Sequence, residues 1–183
     1  ATIDNPVYTI NATDVTNGTV TLTKTVTTAL GICAAAVDTK VLTITPLPDA
    51  SNAGANIDQC NNGIFTLAGN VPVNGTGTWS VVGANPGVTI TNINSATTTV
   101  TGLPAGSSVT LRWTISNGSC TSTTDDVVLR NDLQPTATAG ADAAVCADQA
   151  TYTIVGTSSS NGTIVWTSST ALAMRATPLE RPS

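Results

Sequence analysis

A segment of this sequence recurs at a fixed spacing, and that repeat limits the possible folds more than any other feature. The stretch 74–79 (NGTGTW) returns as 161–166 (NGTIVW), 87 positions later. Cys33 and Cys120 are also 87 positions apart, each between a strand-like segment and an aspartate. A constant period of this length is typical of tandem modules that each fold as one unit. The chain of 183 residues therefore holds about two periods and not one large domain.

The frame of the period does not coincide with the ends of the sequence. We expect one complete module at 50–134, preceded at 1–49 by the C-terminal half of a module and followed at 135–170 by the N-terminal half of another. Residues 171–183 contain the only Met and the only Glu of the chain. They are either a foreign or frame-shifted tail, or a continuation of the repeat that aligns with residues 1–6.

Composition favours exposed β-structure and excludes several kinds of partner. Only 9% of the residues are charged, and Thr and Val are abundant, as in pleated and half-buried strands. The formal net charge of −5 and six basic residues without a patch exclude nucleic acid as a partner, since phosphates demand Lys and Arg clusters. No apolar run reaches the length of about 20 residues that a membrane helix needs, so we expect no membrane insertion.

Alternating polarity predicts strands and no helix. The clearest case is Val109–Ile115, where every second residue is apolar, so that one face of the strand is directed into a core. The segment 20–26 repeats this alternation, with Lys24 interrupting the apolar face. Five Asn-Gly pairs mark tight turns between such runs. The other strands expected in the complete module are 53–57, 64–68, 78–82, 88–92, 97–101 and 125–130. Seven short strands with frequent turns predict an all-β sandwich of the Ig-like class, repeated in tandem.

The motifs of the module resemble a known repeat type. The pattern combines an Ala-Gly-x-Asn/Asp stretch before a cysteine, the motif NGTGTW at 74–79, and GLPAG followed by LRWTISNGSC within 102–120. It is similar to the PKD-like and Ig-like repeats of very large Bacteroidetes cell-surface proteins, including the SprB-like adhesins of gliding cells. The resemblance covers nearly all of residues 1–170. It implies an Ig-like sandwich, export by type IX secretion and a place in a long surface filament.

Four cysteines in a chain without His indicate disulfides in an extracellular or periplasmic protein, not a Cys/His zinc site. Cys60 and Cys120 bracket Trp79, in the Cys–Trp–Cys order of Ig domains, which predicts a disulfide inside the complete module. Two buried free thiols are the alternative. Cys33 and Cys146 are then left without a partner in their own half-modules, and they are either unpaired or joined by a Cys146–Cys33 bridge between units.

The three tryptophans allow two interpretations. Trp79, Trp113 and Trp166 could form a stacking platform for sugars. However, Trp113 shares the apolar face of its strand, and Trp79 matches the core Trp of an Ig sandwich. We therefore expect all three in module cores.

Aspartates near the module junctions could bind calcium, which often stiffens tandem extracellular modules. Asp49, Asp132 and Asp142 are the candidates. Calcium needs six to eight oxygen ligands, and the sequence has no D-x-D-x-D-G loop. We expect solvated surface carboxylates and no cofactor, with calcium as the alternative.

Catalysis has little support in this sequence. Without His a Ser-His-Asp triad is impossible, and adjacent aspartates such as Asp125 and Asp126 are directed to opposite faces of a strand. The expected function is non-enzymatic: a structural and adhesive segment of a secreted, cell-surface filament. Its expected partners are neighbouring repeats or further copies of itself, joined head-to-tail by complementation of half-domains, and surface polysaccharide. The alternative is a carbohydrate-binding accessory module of a secreted glycan-active enzyme.

Overall fold

The computed structural model describes residues 5–149, 151–156 and 162–169. Its contacts divide the chain into two compact units, Ala1–Asn131 and Asp132–Ser183. This division lies close to the expected boundary after residue 134. Residues 5–49 and the complete module belong to the same unit, whereas the expected tail 171–183 lies outside the described residues.

The first unit begins with a short helix and a hairpin. Helix α1 spans Ala12–Asn17 and was not expected from the sequence. It forms because the Asn11 side chain accepts bonds from two backbone N–H groups of the first turn and the Asp14 side chain accepts the N–H of Asn11, a capping box, while Gly18 ends the helix with φ of 70°. Strands β1, Thr19–Val26, and β2, Ala36–Thr43, then pair antiparallel over their whole length.

The complete module is a sandwich of two sheets. Its strands are β3 (Ile57–Cys60), β4 (Phe65–Ala68), β5 (Thr76–Val82), β6 (Thr89–Ile90), β7 (Thr97–Thr101), β8 (Ser107–Ser116) and β9 (Thr123–Asp132). One sheet has the order β3-β9-β8-β5 and the other the order β4-β7-β6. Seven strands split four and three, with the last two strands central in the larger sheet, form the Ig-like arrangement. The expected all-β, Ig-like fold class is therefore confirmed.

One expected strand begins later than the sequence indicates. We expected the first strand of the module at 53–57, but β3 spans Ile57–Cys60. Ala53 is buried, and its N–H is bound by the Asp125 carboxylate instead of a strand backbone. Gly54 follows with φ of 86°, a left-handed conformation that interrupts extended pairing.

The core lies between the two sheets and is closed around two tryptophans. Trp79 and Trp113 are each 1% exposed, and their ring centroids are 4.8 Å apart. They are opposite each other on the paired strands β5 and β8. Gly77 leaves room for the second indole, because a Cβ added there would lie 2.0 Å from Trp113 Cζ2. The remaining fully buried large side chains are Phe65, Leu67, Val100, Leu111, Ile115, Val127 and Leu129.

After Asp132, the last residue of β9, the described part of the second unit has no helix or strand. Its local contacts nevertheless repeat those of the complete module. A Cβ on Gly156 would lie 3.0 Å from Trp166 Cζ2, just as one on Gly69 would lie 3.1 Å from Trp79 Cζ2. Regular strands are missing because β-pairing needs neighbours, and the described part holds no counterpart of β7, β8 or β9.

Candidate functional site

The sandwich has two ends with different roles. We call the end that carries Asp49, Asn74 and Cys120 the linker end, because the chain reaches the sandwich there from β2. The opposite end is the far end. It is held by Asn131, whose buried side chain accepts the N–H of Asn62 and donates to the Leu103 carbonyl.

The linker end holds its incoming segment by a dense set of hydrogen bonds. The Asp49 carboxylate accepts the N–H groups of Val73 and Asn74, at 2.5 and 3.1 Å. Asn117 Nδ2 donates to the Pro46 carbonyl at 2.9 Å, and Thr123 Oγ1 donates to the Asp49 carbonyl at 2.6 Å. The backbone bonds from Asn74 and Val73 hold the pKa of Asp49 below its ordinary value. The linker 44–52 is therefore part of the folded surface and not a free tether.

The disulfide expected between Cys60 and Cys120 is wrong. Both are free thiols, as are Cys33 and Cys146. Cys60 lies at the far end, two residues before Asn62, whereas Cys120 lies just before β9 begins at the linker end. The strand between these ends spans about 27 Å, and a disulfide needs Cα atoms within about 7 Å. The Ig-like order of Cys, Trp and Cys was misleading because it fixes sequence order and not position in the sheets.

The core assignment of the tryptophans is confirmed for two of three. Trp79 and Trp113 are buried, with their indole N–H groups bound by the carbonyls of Ser95 and Asn70. Trp166 is 42% exposed in this chain, and its place in the core of a completed module stays a prediction. Trp166 is exposed because the strands that cover Trp79 have no counterpart in the described part of the second unit.

The calcium candidates do not form a common site. Asp49 is engaged by backbone donors, and Asp142 is an exposed loop residue. Across the described residues, no group of three or more His, Cys, Asp or Glu side chains is placed to hold a metal ion. Asp125 anchors Ala53 to β9, a structural role that sequence analysis did not assign to it.

Among the described residues, two sets of exposed apolar side chains are counterparts of core positions, and they are the candidate interaction sites. The first set consists of Tyr152, Ile154, Ile164 and Trp166 of the second unit, and we call it the open face. These residues are 55%, 41%, 53% and 42% exposed. Their counterparts in the complete module are Phe65, Leu67, Gly77 and Trp79, all of which are buried. Ile164 and Trp166, with Thr136–Ala139, also line a shallow cleft.

The second set lies on one side of the β1–β2 hairpin, which has the same construction as β8–β9. Lys24 pairs with Asp38 where Trp113 pairs with Asp125, and next to the turn both hairpins end their pairing at equivalent positions, Val26 with Ala36 and Ile115 with Thr123. The core-facing positions of β8 correspond to Val20, Leu22, Lys24 and Val26 in β1. Of these, Val20 and Leu22 are half-buried, and Lys24 and Val26 are exposed. Sequence analysis identified both half-modules. It did not identify the difference between Gly77 and its counterpart Ile164, which becomes important only because the Trp113 indole lies so close to Gly77.

No helix in the part of the chain that the structure describes is long and apolar enough to cross a bilayer.

Comparison with known proteins gives only distant structural likenesses. No protein-family model matches the sequence, and no curated protein does. One similar solved structure is the PKD domain of the KIAA 1837 protein, at 20% identity and a TM-score of 0.40, covering 51% of this chain and 92% of that one. A second is a nucleoside hydrolase-related hypothetical protein from Saccharophagus degradans associated with carbohydrate metabolism, at 17% identity and a TM-score of 0.38, covering 49% of this chain and 26% of that one. A third is the titin M3 domain, at 15% identity and a TM-score of 0.31, covering 48% of this chain and 99% of that one.

Proposed function

We propose that this chain is a non-enzymatic structural and adhesive segment of a secreted bacterial cell-surface filament, built from tandem Ig-like modules. The observation that carries the proposal is the linker 44–52, which is fixed to the linker end of the sandwich through Pro46 and Asp49. A linker held in this way transmits force and limits bending between successive modules. These are the properties a stalk requires.

The modular plan supports the same role. The first unit contains a hairpin built like β8–β9 and a complete sandwich, and in the second unit Gly156 approaches Trp166 as Gly69 approaches Trp79. Neighbouring repeats, in the same polypeptide or in further copies arranged head-to-tail, complete the half-modules. The sequence resemblance to the PKD-like repeats of Bacteroidetes adhesins supports a surface location, export by type IX secretion and a part in gliding.

Labelling of intact source cells with an antibody against the complete module tests the location and role. We expect surface staining that protease treatment of intact cells removes, together with reduced attachment to polysaccharide-coated surfaces when the antibody is present. Staining only after the cells are made permeable would contradict the proposal.

A carbohydrate-binding accessory module is the second candidate, favoured by one observation. Trp166 is 42% exposed and lines the cleft of the second unit, whereas the indoles of Trp79 and Trp113 are unavailable to a sugar. Binding of the full chain to a glycan array, lost in Trp166→Ala and retained in Val155→Ala, would support this candidate. Val155 is the matched control because it is 77% exposed and does not line the cleft. Equal binding by the two variants, or none by the parent chain, would eliminate it.

A further inference from the structure

We propose that the open face of the second unit docks the β1–β2 hairpin of a second copy of this chain, and that the residue at position 164 selects this hairpin type. The proposal rests on the modular organisation proposed above and names the partner surface. The open face carries the counterparts of a buried core half, and the hairpin carries the counterparts of the strands that cover it.

The complete module and the proposed docked pair differ at two facing positions, and the two differences in side-chain size compensate for each other. In the complete module, Gly77 has no side chain, and the Trp113 indole occupies that space so closely that a Cβ would lie 2.0 Å from Cζ2. In the second unit the counterpart of Gly77 is Ile164. A covering hairpin with Trp at the position of Trp113 would therefore collide with the Ile164 side chain.

The β1–β2 hairpin carries the residue that fits. Its counterpart of Trp113 is Lys24, opposite Asp38. The flexible aliphatic stem of a lysine can lie against Ile164 while its ammonium group reaches solvent. Lys24 weakens the apolar alternation of β1, and pairing with Ile164 gives that irregularity a physical reason.

A polar anchor accompanies the size match. In the complete module, the Asp125 carboxylate accepts the Ala53 N–H at 2.7 Å and fastens the first segment of the module to β9. The counterparts of these residues are Asp38 in β2 and Ala139 in the second unit. Asp38 is exposed, so its carboxylate is accessible to the Ala139 N–H of another copy.

The hairpin precedes the sandwich in the chain, and the open face follows it. β2 leads into the sandwich at the linker end, while β9 leaves it at the far end, beside Asn131. These ends are separated by the length of β9, about 27 Å. Docking between copies is therefore head-to-tail, a heterologous contact that propagates into a fibre unless it closes into a ring.

This geometry also replaces the expected Cys146–Cys33 bridge. In the docked pair Cys146 takes the place of Cys60, at the far end, and Cys33 takes the place of Cys120, at the linker end, so the two are too far apart. The counterpart of Asp132, where β9 ends, is Thr45, and the Thr45 carbonyl lies 3.6 Å from Cys120 Sγ. Cys146 of one copy is therefore expected close to Cys120 of the next.

Sedimentation velocity of the full chain under reducing conditions tests whether residue 164 selects the docking hairpin. The parent chain should form concentration-dependent oligomers. Lys24→Trp should weaken association at least about fivefold, since overpacking costs about 1–3 kcal/mol. The double variant Lys24→Trp with Ile164→Gly should restore it, because each chain then pairs Trp with Gly as the complete module does.

Thr23→Trp is the control, because position 23 lies on the other face of β1 and should leave association unchanged. Association of Lys24→Trp equal to that of the parent, or no recovery in the double variant, would overturn the selection at position 164. A parent chain that stays monomeric at all concentrations would overturn docking between copies. The role as a segment of a covalent array would survive that result, so the two failures are distinguishable.

Peptide mapping after oxidation tests the orientation. Oxidised glutathione serves as the oxidant: it takes up two electrons and is reduced to two thiols, while two cysteine thiols lose their protons and form the bridge. We expect linked peptides that join Cys146 of one chain to Cys120 of another. Links between Cys146 and Cys33 instead, or random links among the four cysteines, would overturn the proposed arrangement.

Discussion

Residues 53–82 and 139–169 follow the same sequence plan, but among the residues that the structure describes only the first stretch forms strands around a core. Phe65, Leu67 and Trp79 are at most 1% exposed, whereas their counterparts Tyr152, Ile154 and Trp166 are 41% to 55% exposed. Even so, Gly69 and Gly156 contact their tryptophans in nearly the same way. Local sequence thus sets the path of the chain, while burial and strand pairing depend on the covering hairpin that residues 107–132 provide.

The largest expected effect that separates the two regions comes from truncating their tryptophans. Trp79→Ala should destabilise the complete module by about 3–5 kcal/mol, because it leaves a cavity in a packed core. Trp166→Ala should change the unfolding free energy by less than about 0.5 kcal/mol under conditions in which the chain is monomeric. Denaturant unfolding of both variants measures the difference. Similar losses in the two variants would show that the second unit is covered in the monomer.

A smaller effect is expected from filling the space beneath Trp113. Gly77→Ala should cost about 1–3 kcal/mol, because the new methyl group would overlap the indole. Ser80→Ala on the same strand is the matched control, since Ser80 is exposed. Thermal unfolding of the two variants provides the measurement. A Gly77→Ala chain as stable as the control would remove the physical basis for distinguishing the two hairpin types.

The hydrogen bond between Asp125 and Ala53 should stabilise the complete module, whereas Asp38, the counterpart of Asp125 in β2, should contribute almost nothing to the stability of the monomer. Asp125→Ala should lower the unfolding free energy by about 1–3 kcal/mol, because it leaves the Ala53 N–H without its charged acceptor. Asp38→Ala should have almost no effect on the monomer, as Asp38 is bound only to the neighbouring Thr39 N–H. Equal losses, measured by urea unfolding, would argue against different roles for the two aspartates.

Acid should weaken the linker end of the complete module. Backbone donors lower the pKa of Asp49 in the folded state. Its carboxylate therefore stabilises the fold fully above the unfolded pKa of about 3.9, and this stabilisation is lost as the pH falls through the folded pKa. Asp49→Asn should therefore be less stable than the parent at neutral pH, and this difference should shrink below about pH 4. The counterpart in the second unit is Pro135, which cannot titrate. Unfolding curves from pH 2 to 7 test this, and a pH-independent difference would contradict it.

The smallest effect concerns an ion pair that one hairpin has and the other lacks. Arg112 and Asp126 form a bidentate pair at 2.7 and 2.8 Å on the exposed side of β8–β9. The same positions in β1–β2 hold Thr23 and Thr39, which are directly opposite each other. Arg112→Thr combined with Asp126→Thr should change stability by no more than about 1 kcal/mol, and less at high salt. A larger loss would mean that the two hairpins are not interchangeable outside their core faces.

Most strands of the sandwich could be predicted from alternation and Asn-Gly turns, because a period of two together with a tight turn defines a hairpin locally. The first strand was misplaced because its position depends on Asp125, 72 residues away. The short helix α1 was missed because it depends on side-chain caps and not on an apolar period. The disulfide was misassigned because the separation of Cys60 from Cys120 is a property of the assembled sheets.

The sequence by itself determined the period and the fold class, since repeated local patterns encode repeated strands and turns. Only the tertiary structure decided which tryptophans are buried and that Cys60 and Cys120 lie at opposite ends of the sandwich. These outcomes depend on contacts between residues far apart in the chain. The closest of them, between Gly77 and the Trp113 indole, makes a single added methyl group at that position decisive for packing.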